Sequence, residues 1–155
     1  MNEAELEQIR SELAEVLIGR RFGKIFPLSR MQIAVDFRLP ESRFLFISVE
    51  PNSPRIYLIR RRQKDLEWQS GNPLPFMLSL RKRLSGAKLT SIDKVPDERI
   101  LRLGFLAESE LGETENYELI VQLTGRSANL FILDGRGFIL ERLRETKGEI
   151  GRAHV

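Results

Sequence analysis

The sequence contains no cysteine and only one histidine, and both facts limit the chemistry it can perform. Without cysteine there are no disulfide bonds, thiol nucleophiles or thiolate metal ligands. The single histidine, His154, lies next to the C-terminus, which excludes the usual zinc sites and histidine-based triads. The sequence also lacks a long apolar run and a secretory signal peptide. We therefore predict a cytoplasmic protein with no membrane segment, no metal and no cofactor.

What remains is the composition of a globular domain. Hydrophobic residues make up 41% of the chain and charged residues 30%, a balance that argues against a disordered protein. A length of 155 residues fits one ordinary domain that can bury a sizeable core. We expect residues 1–155 to fold as a single unit.

Positive charge is concentrated in the middle of the chain. Residues 20–94 contain 16 Lys or Arg against 6 Asp or Glu, a net charge of +10. The flanking segments are acidic, with net charges of −4 for residues 1–19 and −3 for residues 95–155. A basic block of this kind is typical of a surface that binds a polyanion. The alternative is a solvated surface of mixed charge.

The N-terminal residues have the pattern of an amphipathic helix. Asn2 and Glu5 have the spacing of a capping box, in which each side chain accepts a hydrogen bond from the other residue's backbone. Apolar residues then recur at helical spacing as far as Gly19, a residue that commonly follows the end of a helix.

A second segment, from Pro75 to Gly86, also has helical periodicity. Proline suits the first helical turn and glycine the C-terminus, so the segment predicts about three helical turns. The apolar residues that share one face are Phe76, Met77, Leu80 and Leu84. We predict a central helix that packs on a β-sheet core and leaves residues 81–83 at the surface.

Most of the remaining chain has the pattern of β-strands. The predicted strands are 31–39, 44–49, 55–61, 88–95, 99–107, 117–124, 129–134 and 138–143. The second of these is almost continuously apolar, so we expect both of its faces to be covered. Residues 62–75 are polar and predict the longest loop, in which Trp68 covers the core or, alternatively, provides a platform for stacking bases.

This order of elements predicts an α+β fold. We expect an antiparallel β-sandwich-like domain with an N-terminal helix and one central helix. The two runs of strands, before and after the central helix, could form two packed sheets or one strongly curved sheet. The sequence pattern does not distinguish these arrangements.

Three basic segments are candidate binding elements, namely residues 60–62, 81–83 and 125–129. Guanidinium groups match phosphate geometry, and Gly125 permits a close backbone approach. Each segment also has a structural interpretation, as a solvated helix end or an ordinary turn. The acids before Arg99 give little support for catalysis, because neighbouring strand residues point to opposite faces.

Four separated blocks of the sequence occur together in one known family. They are Leu17–Ile25, Pro75–Gly86, Glu98–Arg102 and Leu123–Asp134. With these blocks the chain resembles the NFACT-N domain of the fibronectin-binding protein A-like family, which includes the tailing factors of ribosome quality control. The resemblance covers nearly the whole chain. We expect a single NFACT-N-like domain, either the N-terminal part of a longer family protein or a stand-alone version.

The resemblance implies a non-catalytic RNA-binding domain, with tRNA and the large ribosomal subunit as partners. The family's Asp-Arg pair, which is linked to tRNA binding, corresponds to Glu98 and Arg99. Its hairpin motif corresponds to Gly125, Arg126 and Asn129, while residues 127 and 128 depart from the family's His and Ser. The expected RNA-binding residues are Glu98, Arg99, Gly125, Arg126, Asn129, Arg81 and Lys82. The cations would contact phosphates, and Glu98 and Asn129 would read or position polar groups.

Two other functions accompany this resemblance. The family's fold is similar to the N-terminal domain of formamidopyrimidine-DNA glycosylases, which implies a glycosylase-like nucleic-acid enzyme as one alternative. Those enzymes use an N-terminal proline, whereas this chain begins Met1-Asn2-Glu3, so we expect no lyase chemistry. The family's name implies a fibronectin-binding adhesin as the other alternative.

Overall fold

The computed structural model describes residues 1–145, which form three α-helices and nine β-strands. His154 lies outside the described residues. The helices are α1 (Glu3–Leu17), α2 (Gln63–Gln69) and α3 (Pro75–Leu84). The strands are β1 (Ile25–Ser29), β2 (Gln32–Val35), β3 (Arg43–Ser48), β4 (Arg55–Arg60), β5 (Lys88–Lys94), β6 (Ile100–Glu108), β7 (Thr114–Gln122), β8 (Asn129–Asp134) and β9 (Ile139–Arg142).

The strands form two antiparallel sheets. β1 to β4 make a four-stranded sheet, and β5 to β9 make a five-stranded sheet. In each sheet, every strand pairs with the strand that precedes or follows it in sequence. The main core contains buried residues from both sheets and from α1 and α3. This arrangement resolves the question left open by the sequence, because the two runs of strands form separate sheets.

A short segment between α1 and β1 connects the two sheets. Phe22 donates its backbone N–H to the carbonyl of Ala87 at 2.8 Å and accepts from the backbone of Gly86 at 2.8 Å. Its ring packs edge-to-face against Phe37 at 5.8 Å and against Phe105 of β6 at 5.5 Å. One residue thereby contacts elements on both sides of the core.

The predicted N-terminal helix is confirmed as α1, with the capping box that the sequence indicated. The backbone N–H of Glu5 donates to Asn2 Oδ1 at 2.8 Å, and that of Asn2 donates to Glu5 Oε1 at 3.3 Å. Leu6, Leu13 and Leu17 are buried on the face that contacts the core. The helix therefore begins and packs where local sequence predicts.

The predicted central helix is confirmed as α3. Proline occupies its first turn, and the residues predicted to face inward are all buried. These buried residues belong to the core that both sheets share. Gly86 follows the helix with φ of +80°, a conformation that favours glycine.

The first predicted strand, 31–39, is shorter in the structure and has an unpredicted partner. β2 ends at Val35, because the Asp36 side chain accepts the backbone N–H of Arg38 at 2.7 Å and turns the chain. β1 was not predicted as a strand. It contains Pro27, which lacks an N–H and is tolerated here because β1 lies at the edge of its sheet.

The predicted loop at 62–75 is wrong over its first half, where α2 forms. This helix was missed because Leu66 is its single buried residue, which leaves no apolar period for sequence analysis to detect. Leu66 packs with Phe26, Ala34 and Phe44 on the outer face of the four-stranded sheet. The expectation that β3 is covered on both faces is thereby confirmed.

The expected position of Trp68 as a lid over the core is also wrong. Trp68 lies on α2 with 91% of its surface exposed. The α+β class and the antiparallel sheets are confirmed, although the structure has three helices where two were predicted. The likeness to formamidopyrimidine-DNA glycosylases stays a prediction.

Replacing Gly23 by alanine should destabilise the fold, because a Cβ there would lie 2.3 Å from the backbone oxygen of Asp36. We expect the free energy of unfolding to fall by about 1–3 kcal/mol in urea denaturation. Gly71→Ala is the matched control, since a Cβ at Gly71 has no heavy atom within 4 Å. Equal free energies of unfolding for the two variants would contradict the close approach of Gly23 to the Asp36 backbone.

Trp68→Ala should leave the free energy of unfolding within about 0.5 kcal/mol of the parent, because the side chain is solvated. Leu66→Ala, in the same helix, removes a buried side chain and should cost about 2–5 kcal/mol. Trp68 is the only tryptophan, so its fluorescence reports this position alone. Protection of that fluorescence from acrylamide quenching would contradict the exposed position.

Candidate nucleic-acid interface

The turn between β5 and β6 carries Glu98 and Arg99. Lys94, the last residue of β5, fixes this turn, because its Nζ donates to the carbonyl oxygen of Glu98 at 3.3 Å. The same Nζ lies 2.7 Å from Glu3 Oε1 in the first turn of α1. Glu98 is exposed and Arg99 is half-buried. The pair is thus held on an anchored turn with the Glu98 side chain in solvent.

The loop between β7 and β8 carries Gly125 and Arg126. Gly125 has φ of +66°, in the region that favours glycine, and accepts the backbone N–H of Ala128 at 3.0 Å. The side chain of Gln122 donates to the carbonyl of Ser127 at 2.7 Å. These bonds close a single tight turn, in which the Arg126 side chain is exposed.

Asn129, at the start of β8, is completely buried, and its amide group bonds to backbone. Its Nδ2 donates to the carbonyl of Arg144 at 2.9 Å. Its Oδ1 accepts the backbone N–H groups of Leu130 and Arg144, both at 2.9 Å. Asn129 therefore ties the chain that follows β9 to the start of β8.

Arg144 completes this connection from the other side. Its Nη1 donates to the carbonyl oxygen of Arg126 at 3.1 Å and also to that of Ala128. Arg144 was not predicted as a site residue, because it follows the last strand and belongs to no motif. Its position depends on the pairing of β8 with β9, so only the strand register could have indicated it.

The strand register brings these turns to one end of the five-stranded sheet. Ile100 of β6 lies opposite Gln122 of β7, which in turn lies opposite Asn129 of β8. The backbone N–H of Leu123 donates to the carbonyl of Arg99 at 2.8 Å. We call this end the strand-end surface. It consists of Glu98, Arg99, Gly125, Arg126 and Arg144, together with the buried Asn129 beneath them that holds the Arg144 backbone.

The arginines of the strand-end surface differ in charge environment from a nearby arginine on β6. Arg102 forms a bidentate pair with Glu118 at 2.8 and 2.9 Å, and this bond raises the pKa of Arg102. Within residues 1–145, no ion pair neutralises Arg99 or Arg126. Their guanidinium charges are available to an anion.

Two residues predicted to bind RNA lie away from the strand-end surface. Lys82 lies in a depression with Glu108 and Glu115, at the far end of β6. The nine residues of β6 separate the two ends by roughly 27 Å at about 3.4 Å per residue. Arg81 lines another depression together with Glu67 of α2. The seven predicted residues therefore form one cluster of five and two separate positions.

The strand-end surface presents charge and hydrogen-bond donors without a metal centre. Among residues 1–145, no three histidine, cysteine or carboxylate side chains converge in a way that could hold a metal ion. None of the helices in this part of the chain is long and apolar enough to cross a membrane. The fold and the surface together define a two-sheet α+β domain with a basic end suited to phosphate or carboxylate groups.

Comparison with known proteins assigns the chain to a family. Residues 3–153 match the family model described as NFACT N-terminal and middle domains, and the chain belongs to this family. The resemblance predicted from the four sequence blocks is thereby confirmed.

Two curated relatives are both named Rqc2 homolog RqcH. The one from Streptococcus pneumoniae serotype 2 (strain D39 / NCTC 7466) is 28% identical over 83% of this chain and 23% of its own length. The one from Bacillus subtilis (strain 168) is 23% identical over 79% of this chain and 21% of its own length.

Solved structures show the same fold. The N-terminal domain of fibronectin-binding protein PavA from Streptococcus pneumoniae superposes with a TM-score of 0.80 and 27% identity, covering 92% of this chain and 53% of that one. The N-terminal part of the fibronectin/fibrinogen-binding protein of Streptococcus suis gives a TM-score of 0.80 with 26% identity, covering 91% and 52%. This chain therefore spans about half of the solved chains and about a quarter of the curated relatives.

Asn129→Ala should destabilise the protein, because three backbone groups lose their buried partner. We expect the free energy of unfolding to fall by about 2–4 kcal/mol in chemical denaturation. Asn116→Ala, at an exposed position on β7, should change it by less than about 0.5 kcal/mol. A small effect at Asn129 would mean that its amide is not needed to hold Arg144.

Proposed function

We propose that this chain is a non-catalytic RNA-binding domain of a ribosome-associated quality-control factor and that it contacts tRNA through the strand-end surface. The observation that supports this most directly is the convergence of two motifs. Glu98 and Arg99, which match the family's tRNA-linked pair, lie at the same end of the sheet as the 125–129 turn. The two motifs are separated by about 25 residues in sequence, so only the fold brings them to the same end of the sheet.

The residues of the strand-end surface would have different roles. Arg99 and Arg126, which no ion pair neutralises within residues 1–145, would contact phosphates through charge-assisted hydrogen bonds. The exposed Glu98 carboxylate would accept from a base amino group or a ribose 2′-hydroxyl. Asn129 is buried, so it would act by positioning Arg144.

Arg81 and Lys82 would be secondary contacts. Both are exposed, but carboxylates share their depressions, which weakens the local positive potential. Their distance from the strand-end surface means that only an RNA extending over more than one face would reach them. The large ribosomal subunit, whose RNA is extensive enough to reach more than one face, is the second partner in this proposal. The proposal also includes a cytoplasmic location and a single NFACT-N-like domain.

Arg99→Ala/Arg126→Ala should weaken tRNA binding while leaving the fold intact, since Arg126 is exposed and the half-buried Arg99 lies in a bend outside the strands. In fluorescence-anisotropy titrations at near-physiological salt we expect a loss of about tenfold or more. The slope of log affinity against log salt should become smaller by about one for each contact removed. Glu98→Ala/Arg99→Ala should also weaken binding of tRNA more than binding of duplex DNA.

The matched control is Arg60→Ala/Arg62→Ala, which removes the same charge from residues paired with Glu41 and Asp65. Its tRNA affinity should stay within about twofold of the parent, because those arginines are already partly neutralised. Equal losses in both double variants would show that net charge alone governs binding and would reject the strand-end assignment.

A second candidate function is binding of fibronectin. It rests on the names of two solved relatives, which are fibronectin-binding and fibronectin/fibrinogen-binding proteins. Surface plasmon resonance with immobilised fibronectin separates the two proposals. Saturable binding to fibronectin with no tRNA binding at physiological salt would favour this second function over the first.

A further inference from the structure

A groove of about 490 Å³ lies between the segment that follows α1 and the end of α3. Its lining includes three arginines, Arg20, Arg21 and Arg38, together with Ser85, three glycines and the largely buried Phe22 and Phe37. Arg21 forms a β-bridge with Lys88 at the start of β5, whereas the Glu98 turn follows the end of β5. The seven residues of β5 therefore place this arginine groove roughly 20 Å from the strand-end surface.

The arginine groove contains no carboxylate among its lining residues. Four other depressions on the described surface each include at least one acid, such as Glu67, Glu41, Glu108 or Asp93. No ion pair within residues 1–145 involves the three groove arginines. One carboxylate, that of Asp36, lies beside the groove, where it accepts the backbone N–H of Arg38 at 2.7 Å, so the three arginines exceed it by a net charge of +2. Low-dielectric walls with a net positive charge concentrate the field inside a cleft, so this groove attracts anions.

Neutral backbone acceptors hold two of the three groove arginines in place. Arg20 Nη1 donates to the carbonyl of Arg38 at 3.1 Å, and Arg21 Nη1 donates to the carbonyl of Gly86 at 2.8 Å. A guanidinium has five N–H donors, so each of these bonds leaves the others for a ligand. The bond to Gly86 also offsets the negative end of the α3 dipole, which would otherwise oppose an anion here.

The backbone at the groove has two further features of a ligand site. Arg38 has φ of +55°, a left-handed conformation that costs a non-glycine residue free energy and that recurs at functional sites. Gly19 and Gly86 also have positive φ, and a Cβ at either would meet no heavy atom within 4 Å. The groove is therefore open for close approach of a ligand to the backbone at both glycines.

We propose that the arginine groove binds the phosphodiester backbone of a nucleic acid without reading its sequence. Forked guanidinium donors match phosphate oxygens. The one other polar side chain in the lining, Ser85, already donates its hydroxyl to the carbonyl of Arg81 at 2.6 Å, so the groove offers charge to phosphates and little for reading bases. The groove lies at the opposite end of β5 from the strand-end surface, so it constitutes a second site beyond the function proposed above. Two separated phosphate sites would allow one extended RNA to contact two faces of the domain.

The test combines a double variant that removes two groove charges with the backbone amide resonances of the groove glycines. In the full 155-residue chain, Arg20→Gln/Arg38→Gln removes two groove charges and keeps Arg21, whose bond to Gly86 supports the fold. A fluorescein-labelled RNA duplex of about 12 base pairs should bind this variant about fivefold or more weakly at near-physiological salt. The slope of log affinity against log salt should fall by about two.

The matched control is Arg60→Gln/Arg62→Gln, which changes the net charge by the same amount at residues already ion-paired. It should retain the parent salt slope. In ¹⁵N-labelled parent protein, the amides of Gly19, Gly23 and Gly86 should shift on addition of the duplex. Unshifted groove glycines in a protein that binds the duplex, or equal losses in the two double variants, would overturn the proposal.

Two further outcomes separate this proposal from others. Shifts at Gly19 and Gly86 without a shift at Gly125 on titration with tRNA would support the arginine groove while rejecting the strand-end surface. Poly-glutamate and unlabelled RNA should also be compared, at equal charge concentration, as competitors of the labelled duplex. If poly-glutamate displaces the duplex as effectively as RNA does, the nucleic-acid assignment is overturned and an acidic protein partner is indicated. Absence of any RNA binding by the chain would overturn both.

Discussion

The backbone pairing of residues 19–22 with residues 86–89 is the interaction on which the arrangement of the two sheets depends. Gly19 donates to Leu89, Leu89 donates to Arg20, and Phe22 exchanges bonds with Ala87 and Gly86. On its other side this segment leads into β1, and Lys24, just before that strand, accepts the backbone N–H of Asp36. The connection therefore joins the edge of one sheet to the other by directional bonds. The Phe22 ring, between Phe37 and Phe105, adds a packing contact that depends on both sheets being in place.

Once the start of β5 is fixed, the register of the five-stranded sheet determines where its charges lie. Each following strand pairs with its neighbour, so the turns after β5 and β7 and the chain after β9 meet at one end. Arg99, Arg126 and Arg144 come to the same end of the sheet although the first and the last are 45 positions apart in sequence. The arginine groove forms at the opposite end of β5, where the pairing segment itself supplies two of the three arginines. The same set of hydrogen bonds thus organises both basic regions and separates them.

The sequence predicted the elements that have their own local signals. The capping box of α1 and the apolar period of α3 are visible in a single segment, and the alternation of the main strands is equally local. α2 has only Leu66 buried, so its formation depends on the sheet face beneath it, which no local pattern shows. In the candidate site, the motifs at Glu98 and Gly125 were recognisable in sequence. Their meeting at one end of the sheet, and the role of Asn129 in holding Arg144, follow from strand register, which is a tertiary property.

Net charge along the sequence is a poor guide to where this protein attracts anions, because ion pairing redistributes it. Residues 60–62 form the densest run of arginine, yet Arg60 and Arg62 are paired with Glu41 and Asp65. Residues 95–155 are acidic overall, yet they contribute all the arginines of the strand-end surface. An acid changes the local potential only within about a Debye length, roughly 8 Å at physiological salt. The position of each carboxylate relative to each arginine therefore decides which cations remain effective, and that position is set by the fold.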